Sequence, residues 1–275
     1  MSIRTLSAAA LAATALTAMP AFAQTTVESE LHTIVQEVVA DGLANPWGLD
    51  FLPDGNMLVT ERPGTLRLVT PDGTVSEPIA GVPEVDARGQ GGLLDVELGP
   101  DFETDRWVYL SFSEAGEDGT NSTAVARGQL NEDATALENV EVIFSQQPKV
   151  DSVLHFGSRI VFDPEGYMYV TLGERSHDQF RVLAQDLGTH LGKVIRLFPD
   201  GSVPEDNPFV GQEGALPEIY SYGHRNPQGA AIFPETGQFW EIEHGPRGGD
   251  ELNRVVAGGN YGWPLLTEGT EYTGE

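Results

Sequence analysis

The feature that most constrains this chain is a unit that recurs four times. Each copy is a short apolar run, a turn centred on proline, and a second apolar run that ends in polar residues. The copies are Trp47–Arg62 (WGLDFLPDGNMLVTER), Gly92–Glu114 (GLLDVELGPDFETDRWVYLSFSE), Gly157–Arg175 (GSRIVFDPEGYMYVTLGER) and Gly229–Arg247 (GAAIFPETGQFWEIEHGPR). Proline and glycine set the turn geometry, and the flanking runs have the length of strands. The central prolines, Pro53, Pro100, Pro164 and Pro234, are 47, 64 and 70 residues apart. Repeats of this length predict an all-β chain of propeller blades, about four strands each, with insertions between them. A helical reading is weak, since only Asp178–Leu191 lacks dense Gly/Pro punctuation. The second runs end in Thr60-Glu61-Arg62, Ser113-Glu114, Gly173-Glu174-Arg175 and Glu243-His244-Gly245. Any one of these reads as a solvated loop end. Four in register predict a polar mouth at one end of the blades.

Composition narrows the function. The chain has 275 residues, 15 Lys+Arg against 42 Asp+Glu, and a formal charge of −27. Phosphate backbones and anionic membrane surfaces would be repelled, so no nucleic-acid partner is expected. With no cysteine, disulfides, thiolate metal sites, iron–sulfur clusters and cysteine nucleophiles are excluded. Apolar residues make up 40%, enough for a core. Residues 1–23 have a basic start at Arg4, an Ala/Leu-rich run from Leu6 to Met19, and a small-x-small site at Ala21-Phe22-Ala23. That is the pattern of a secretory signal peptide, too short to span a bilayer. A propeller domain over 24–275 follows, and a cysteine-free secreted chain points to a bacterial periplasm, without membrane insertion. Only Lys149 and Lys193 are lysines, and such an acid-rich, Lys-poor surface suits a salt-tolerant source.

The familiar catalytic signatures are missing. Gly89-Gln-Gly-Gly92 lacks GxGxxG spacing and a following helix, and there is no GxSxG elbow or HExxH helix. Asp54-Gly55 and Asp72-Gly73 are turns rather than EF-hand loops, and the sequon at Asn121 reads as incidental. His155, just before the third unit, has the residue type of a base working near neutral pH, or of a packed histidine bonded to backbone. Gly223-His-Arg-Asn-Pro-Gln-Gly229 places a guanidinium and an amide in one loop. Arg225 offers a planar fork for a carboxylate or a developing oxyanion, or a partner for one of the many acids. Pro227 biases Asn226 toward extended backbone. In Glu243-HGPRGGDELN253, Gly245 and Pro246 can turn carbonyls toward a cation, and Asp250 and Glu251 add carboxylates. Oxygen donors of this kind suit Ca²⁺; the alternative is an acidic turn without metal.

Taken together, these segments resemble the soluble PQQ-dependent glucose/sorbosone (aldose sugar) dehydrogenase family. The resemblance is carried by Asn45-Pro-Trp-Gly48, Gly89-Gln-Gly-Gly-Leu-Leu94, His155 before Gly157, His190-Leu-Gly-Lys-Val194, GHRNPQG at 223–229, Gly245-Pro246 and Gly258-Gly-Asn-Tyr-Gly-Trp-Pro264, in the family's order. It implies a six-bladed propeller, of which this chain carries about four blades. It also implies pyrroloquinoline quinone (PQQ) at the mouth, with His155 as base, Arg225 polarising the quinone, and Gln90, Arg225 and Asn226 contacting it. By the same likeness the Gly245 and Pro246 carbonyls bind Ca²⁺, and Glu251 and Tyr261 bind a second, structural Ca²⁺. The implied reaction is oxidation of an aldose at C1, with a periplasmic cytochrome or quinone as electron acceptor.

Two departures stand out. Leu154 occupies the position before His155 where some relatives have an acid, so the carboxylate that orients the histidine must come from elsewhere. The sequence ends soon after GGNYGWP, whereas relatives continue for roughly two more blades, so a fragment of a longer product is expected. Two other functions fit a propeller. One is a Ca²⁺-dependent sugar lactonase with Glu61, Glu174 and Glu243 clustered on the axis. The other is a non-catalytic binding propeller or inactive fragment.

Overall fold

A computed structural model describes residues 24–274; the segment 1–23, read above as a signal peptide, lies outside the described residues. The described part is built from sixteen strands in five antiparallel sheets. An exposed hairpin of β1 (Gln24–Glu28) and β2 (Thr33–Glu37) comes first. Then come β3 (Pro46–Phe51), β4 (Met57–Glu61) and β5 (Thr65–Val69) in one sheet. A four-stranded sheet holds β6 (Leu93–Leu98), β7 (Trp107–Ala115), β8 (Asn121–Leu130) and β9 (Leu137–Ser145). The next holds β10 (Gly157–Phe162), β11 (Met168–Leu172), β12 (Lys193–Leu197) and β13 (Ile219–Tyr222). The last has β14 (Pro227–Phe233), β15 (Gln238–Glu243) and β16 (Glu251–Arg254). Each of the four repeat units forms the first hairpin of one sheet, and strand order within each sheet follows chain order. Among the described residues helix is confined to short turns: single-turn helices at Phe102–Asp105 and, in the segment with least Gly/Pro punctuation, Asp178–Arg181, which runs into a 3₁₀ turn, Val182–Gln185.

Apolar side chains explain how the sheets stack. β4 and β11 are buried on both faces, so their alternating residues serve two different cores. Leu58 packs with Leu93, Val96 and Leu110 between the first two blade-like sheets, while Met57 and Val59 face Ala40 and Leu43. Met168, Val170 and Leu172 pack against Tyr109 and Val125 of the sheet before, and Tyr169 against Phe239 of the sheet after. The two middle sheets, β6–β9 and β10–β13, are thus each packed between their sequence neighbours, and the first strands β3, β6, β10 and β14 lie beside one another.

A polar device repeats at those first strands. In each of the four sheets the pairing of the first two strands shifts register within the first strand's opening residues, the mark of a β-bulge. A hydroxyl from the second strand fills three of these bulges and reaches to the next sheet. Thr60 Oγ1 accepts from Gly48 N at 2.8 Å and donates to Leu94 O at 2.5 Å. Ser111 Oγ accepts from Asp95 N at 2.9 Å and donates to Ser158 O at 2.6 Å. Thr171 Oγ1 accepts from Arg159 N at 3.0 Å and donates to Pro227 O at 2.8 Å. All three hydroxyl residues are fully buried. The corresponding place in the fourth sheet, opposite Gly229, is Ile242, which is exposed.

Two predictions follow from this core. Thr171→Val keeps shape but leaves the Arg159 N–H and the Pro227 carbonyl buried without a partner, so it should destabilise by about 1–3 kcal/mol, read as a lower midpoint in thermal unfolding. Glu97 is pushed up to about 8, first by burial and then by the charges of Asp50 and Asp95, with Arg159 opposing. The native carboxyl keeps its proton at pH values where the unfolded chain has lost it, so stability falls as pH rises from the ordinary carboxylate range through about 8. Glu97→Gln should therefore leave the midpoint unchanged near pH 4 and raise it near pH 8.5, by about 2–4 °C for each kcal/mol relieved.

Candidate active site

In an antiparallel hairpin the start of the first strand and the end of the second lie at the same end. Gln90 precedes β6 by three residues, His155 precedes β10 by two, and Arg225-Asn226 lead into β14. Glu174 follows β11 by two residues, and Gly245-Pro246 follow β15. Topology alone therefore gathers these residues at one end of the sheets, where the four polar strand ends were expected to form a mouth.

Hydrogen bonds tie them into one network. His155 Nδ1 lies 2.7 Å from Glu174 Oε2, and the His155 backbone N–H donates to Gln90 Oε1 at 2.8 Å. Gly157 N donates to Asn226 Oδ1 at 3.1 Å, and Glu174 N donates to Arg225 O at 3.0 Å. Trp263 Nε1 donates to Glu174 Oε1 at 3.2 Å, and the same indole lies 5.2 Å beneath the Arg225 guanidinium. Arg225 Nη1 donates to His244 O at 2.7 Å, in the loop that continues to Gly245. Glu174 thus bridges His155 and Arg225, and it supplies the carboxylate that Leu154 does not. Its own exposure is nil, and a third donor, Ser176 N at 2.9 Å, shares Oε2.

The arrangement holds strained backbone in place. His155 has φ +49°, Arg175 +76° and Ser176 +71°, left-handed values that cost side-chain-bearing residues energy and recur at functional sites. Gly173 is held to glycine by closeness: a Cβ there would meet His155 O at 2.0 Å and Asn226 Oδ1 at 3.1 Å. Behind Glu174, the buried guanidinium of Arg175 sits 3.7 Å over the Phe156 ring, and its Nη2 donates to Asn121 Oδ1 and Ser152 O, each at 2.5 Å. Burial pulls Arg175 down to about 9, against the opposing charges of Glu174 and Asp86.

The Gly245-Pro246 turn fits a cation. Neither carbonyl accepts a hydrogen bond among the described residues, while Asp250 Oδ1 accepts from Gly245 N at 2.8 Å and fixes the turn. Asp250 therefore shapes the loop. A Cβ on Gly245 would lie 2.2 Å from Gly248 O, so the turn admits only glycine there. The Tyr261 hydroxyl is committed, donating to Arg254 O at 2.7 Å and accepting from Val256 N at 3.0 Å; its main-chain carbonyl is the donor left free. Glu251 Oε2 accepts from Asn253 Nδ2 at 3.0 Å. Lys193 of the HLGKV segment is buried and donates to the carbonyls of Leu183, Ala184 and Leu191, a purely structural use.

The lactonase arrangement is not built. Glu61 is bound by Ala44 N, Thr65 and Arg67. Glu174 is bound by His155, Ser176 N and Trp263, and Glu243 by Arg225 N and Asn253. Each carboxylate has its own partners, and the three do not present free oxygens to one common ion.

These features have counterparts in known proteins. The chain matches the Glucose / Sorbosone dehydrogenase family over residues 43–275. It is 49% identical over 243 residues to the aldose sugar dehydrogenase YliI of Escherichia coli (strain K12), covering 88% of this chain and 65% of that protein. A crystal structure of a glucose dehydrogenase superposes with TM-score 0.83 at 55% identity, over 86% of this chain and 68% of that one. The PQQ-bound aldose sugar dehydrogenase of Streptomyces coelicolor superposes with TM-score 0.74 at 33% identity, over 92% and 71%. The chain thus has the all-β fold of PQQ-linked sugar dehydrogenases, and it belongs to the glucose/sorbosone dehydrogenase family. It spans 65% of the length of YliI, the curated relative described here.

Gly173→Ala tests the geometry without touching a functional side chain. It should leave the sheets folded but displace His155 and Asn226, lowering the thermal midpoint and changing Trp263 fluorescence through the broken contact to Glu174.

Proposed function

We propose that this chain forms part of a PQQ-dependent aldose sugar dehydrogenase with Ca²⁺. On this reading its four larger sheets are four consecutive blades of a six-bladed propeller, and the protein works in the periplasm after removal of residues 1–23. The observation that carries the reading is the bridged pair itself: one buried carboxylate, Glu174, holds the imidazole of a base and the backbone of the arginine loop.

The residues present fit the cofactor. Arg225 Nε is buried without a partner, the Gln90 side-chain amide nitrogen makes no bond among the described residues, and two carbonyls stand free at Gly245 and Pro246. Guanidinium and amide suit a polycarboxylate quinone, and carbonyl oxygens suit Ca²⁺. When bound, PQQ supplies the acceptor for the hydride that leaves C1 of the sugar, with Ca²⁺ adding positive charge beside it. Gln90, Arg225 and Asn226 hold that group, and the Tyr261 carbonyl with Glu251 holds a second, structural Ca²⁺. Glu174 accepts the Nδ1–H of His155, which leaves Nε2 as the lone-pair nitrogen facing out of the network. His155 Nε2 then takes the C1 hydroxyl proton, and Glu174 stabilises the imidazolium that results, the role of the orienting carboxylate in acid–base catalysis. Loss of that proton and the hydride leaves the sugar as its lactone. A periplasmic cytochrome or quinone would serve as the electron acceptor.

Reconstitution with PQQ and Ca²⁺, followed by dye reduction with aldoses, tests this in a chain of the relatives' full length. Turnover should require both additions. Glu174→Gln should lower kcat by about 10²–10⁴-fold, the worth of a positioned base, with a smaller effect on KM. A folded, reconstituted protein that turns over no aldose would overturn the proposal.

A further inference from the structure

Behind the Arg225 loop lies a second cluster that the proposed sugar chemistry does not use. His224, Glu241 and Glu243 are buried, at 0%, 0% and 3% exposure, and each offers one donor atom within 4.8 Å of the others. His224 Nδ1 lies 3.5 Å from Glu241 Oε1 and 3.7 Å from Glu243 Oε1. Both distances exceed a normal hydrogen bond of about 2.7–3.2 Å. They are close to the roughly 3.3 Å that separates two donors around a four-coordinate ion with bonds near 2.0–2.1 Å.

The local hydrogen bonds do not balance. Asn253 Nδ2 lies 2.9 Å from Glu241 Oε1, 3.2 Å from Glu243 Oε1 and 3.0 Å from Glu251 Oε2. An amide nitrogen has two hydrogens for those three carboxylate oxygens. Glu241 Oε2 and His224 Nδ1 are buried with no hydrogen-bond partner among the described residues. Unpartnered acceptors cost energy in an interior, and carboxylates cost more unless a cation meets them.

The donors are also held from outside. Ser221 Oγ lies 2.8 Å from His224 Nε2, so an Nε2–H donated to that hydroxyl leaves Nδ1 as the free lone pair. The Tyr261 ring stacks on the imidazole, 4.6 Å away and 20° from parallel. Arg225 N donates to Glu243 Oε2 at 2.6 Å, which turns Oε1 toward the cluster. Outer partners of this kind are what orient metal ligands.

We infer that His224, Glu241 and Glu243 form a buried site for a divalent transition ion of the zinc type, with the Asn253 side chain turned to offer its oxygen as a further donor. One imidazole with two carboxylates selects such an ion over Ca²⁺, which takes oxygen donors only. Its donors are other residues than the Gly245-Pro246 carbonyls, and the inference does not depend on the dehydrogenase reading. Through the bond from Arg225 N to Glu243 it braces the arginine loop.

The test uses the full chain, stripped with chelator and titrated with Zn²⁺ or Co²⁺ alone. One equivalent should bind, Co²⁺ should develop the visible absorption of a four-coordinate nitrogen–oxygen site, and the thermal midpoint should rise. His224→Gln and Glu241→Gln should each weaken binding by at least about 10–100-fold, since losing even an outer partner costs that much. Should both variants fail to fold, anomalous diffraction from a Zn²⁺-soaked crystal decides by placing the ion at His224 Nδ1 or elsewhere. Absence of stoichiometric binding, an ion on surface histidines only, or displacement by Ca²⁺ would overturn the inference and leave the cluster as an imidazolium paired with carboxylates.

Discussion

The structure depends on a buried hydroxyl that bridges neighbouring sheets. A β-bulge frees a backbone N–H in the first strand, and a bare bulge between two packed sheets would leave it unpaired. Thr60, Ser111 and Thr171 each close that gap and hand their own proton to a carbonyl of the next sheet. One side chain thereby satisfies two buried backbone groups and fixes the offset between consecutive sheets. Apolar packing between sheets is non-directional; the hydroxyls supply the direction.

That offset is what makes a site out of separate loops. His155, Glu174, Arg225 and Trp263 come from four stretches of chain, and their contacts tolerate little displacement. With Glu174 fully buried, its oxygens have no water to turn to, and both are met by protein groups: Oε2 by His155 and the Ser176 N–H, Oε1 by Trp263. The same economy explains the strained φ angles beside it: the network over-determines His155 and Arg175, and the cost is met by contacts on every side. The arginine loop is doubly anchored, forward to Glu174 through Arg225 O and backward to Glu243 through Arg225 N.

Much of this was legible from residues alone. The four proline-centred units mark the first hairpin of each of the four larger sheets, and the polar second-strand ends at Glu174 and His244 belong to the site network. His155, Gln90, Arg225 and Asn226, which the motifs single out, lie in one hydrogen-bonded network that runs through Gly157 and Glu174. Glu174 was visible, but as one of four similar strand ends, with nothing to say that it would face His155, 19 residues away. Trp263 belonged to a recognised motif without a role. The Glu61–Glu174–Glu243 grouping failed because equivalent positions in a repeat share height but not partners. Which atom of Tyr261 is free was not legible: its hydroxyl is bound to two backbone groups.

The amino-acid sequence by itself determined the all-β class, the hairpin boundaries and which loops meet at one end, because turn chemistry and strand periodicity are local and antiparallel pairing leaves little choice. Only the tertiary structure decided which carboxylate meets which imidazole. Those pairings join residues far apart in the chain, and they are chosen by the offset between sheets and by the need of each buried polar atom for a partner, neither of which is written in any single segment.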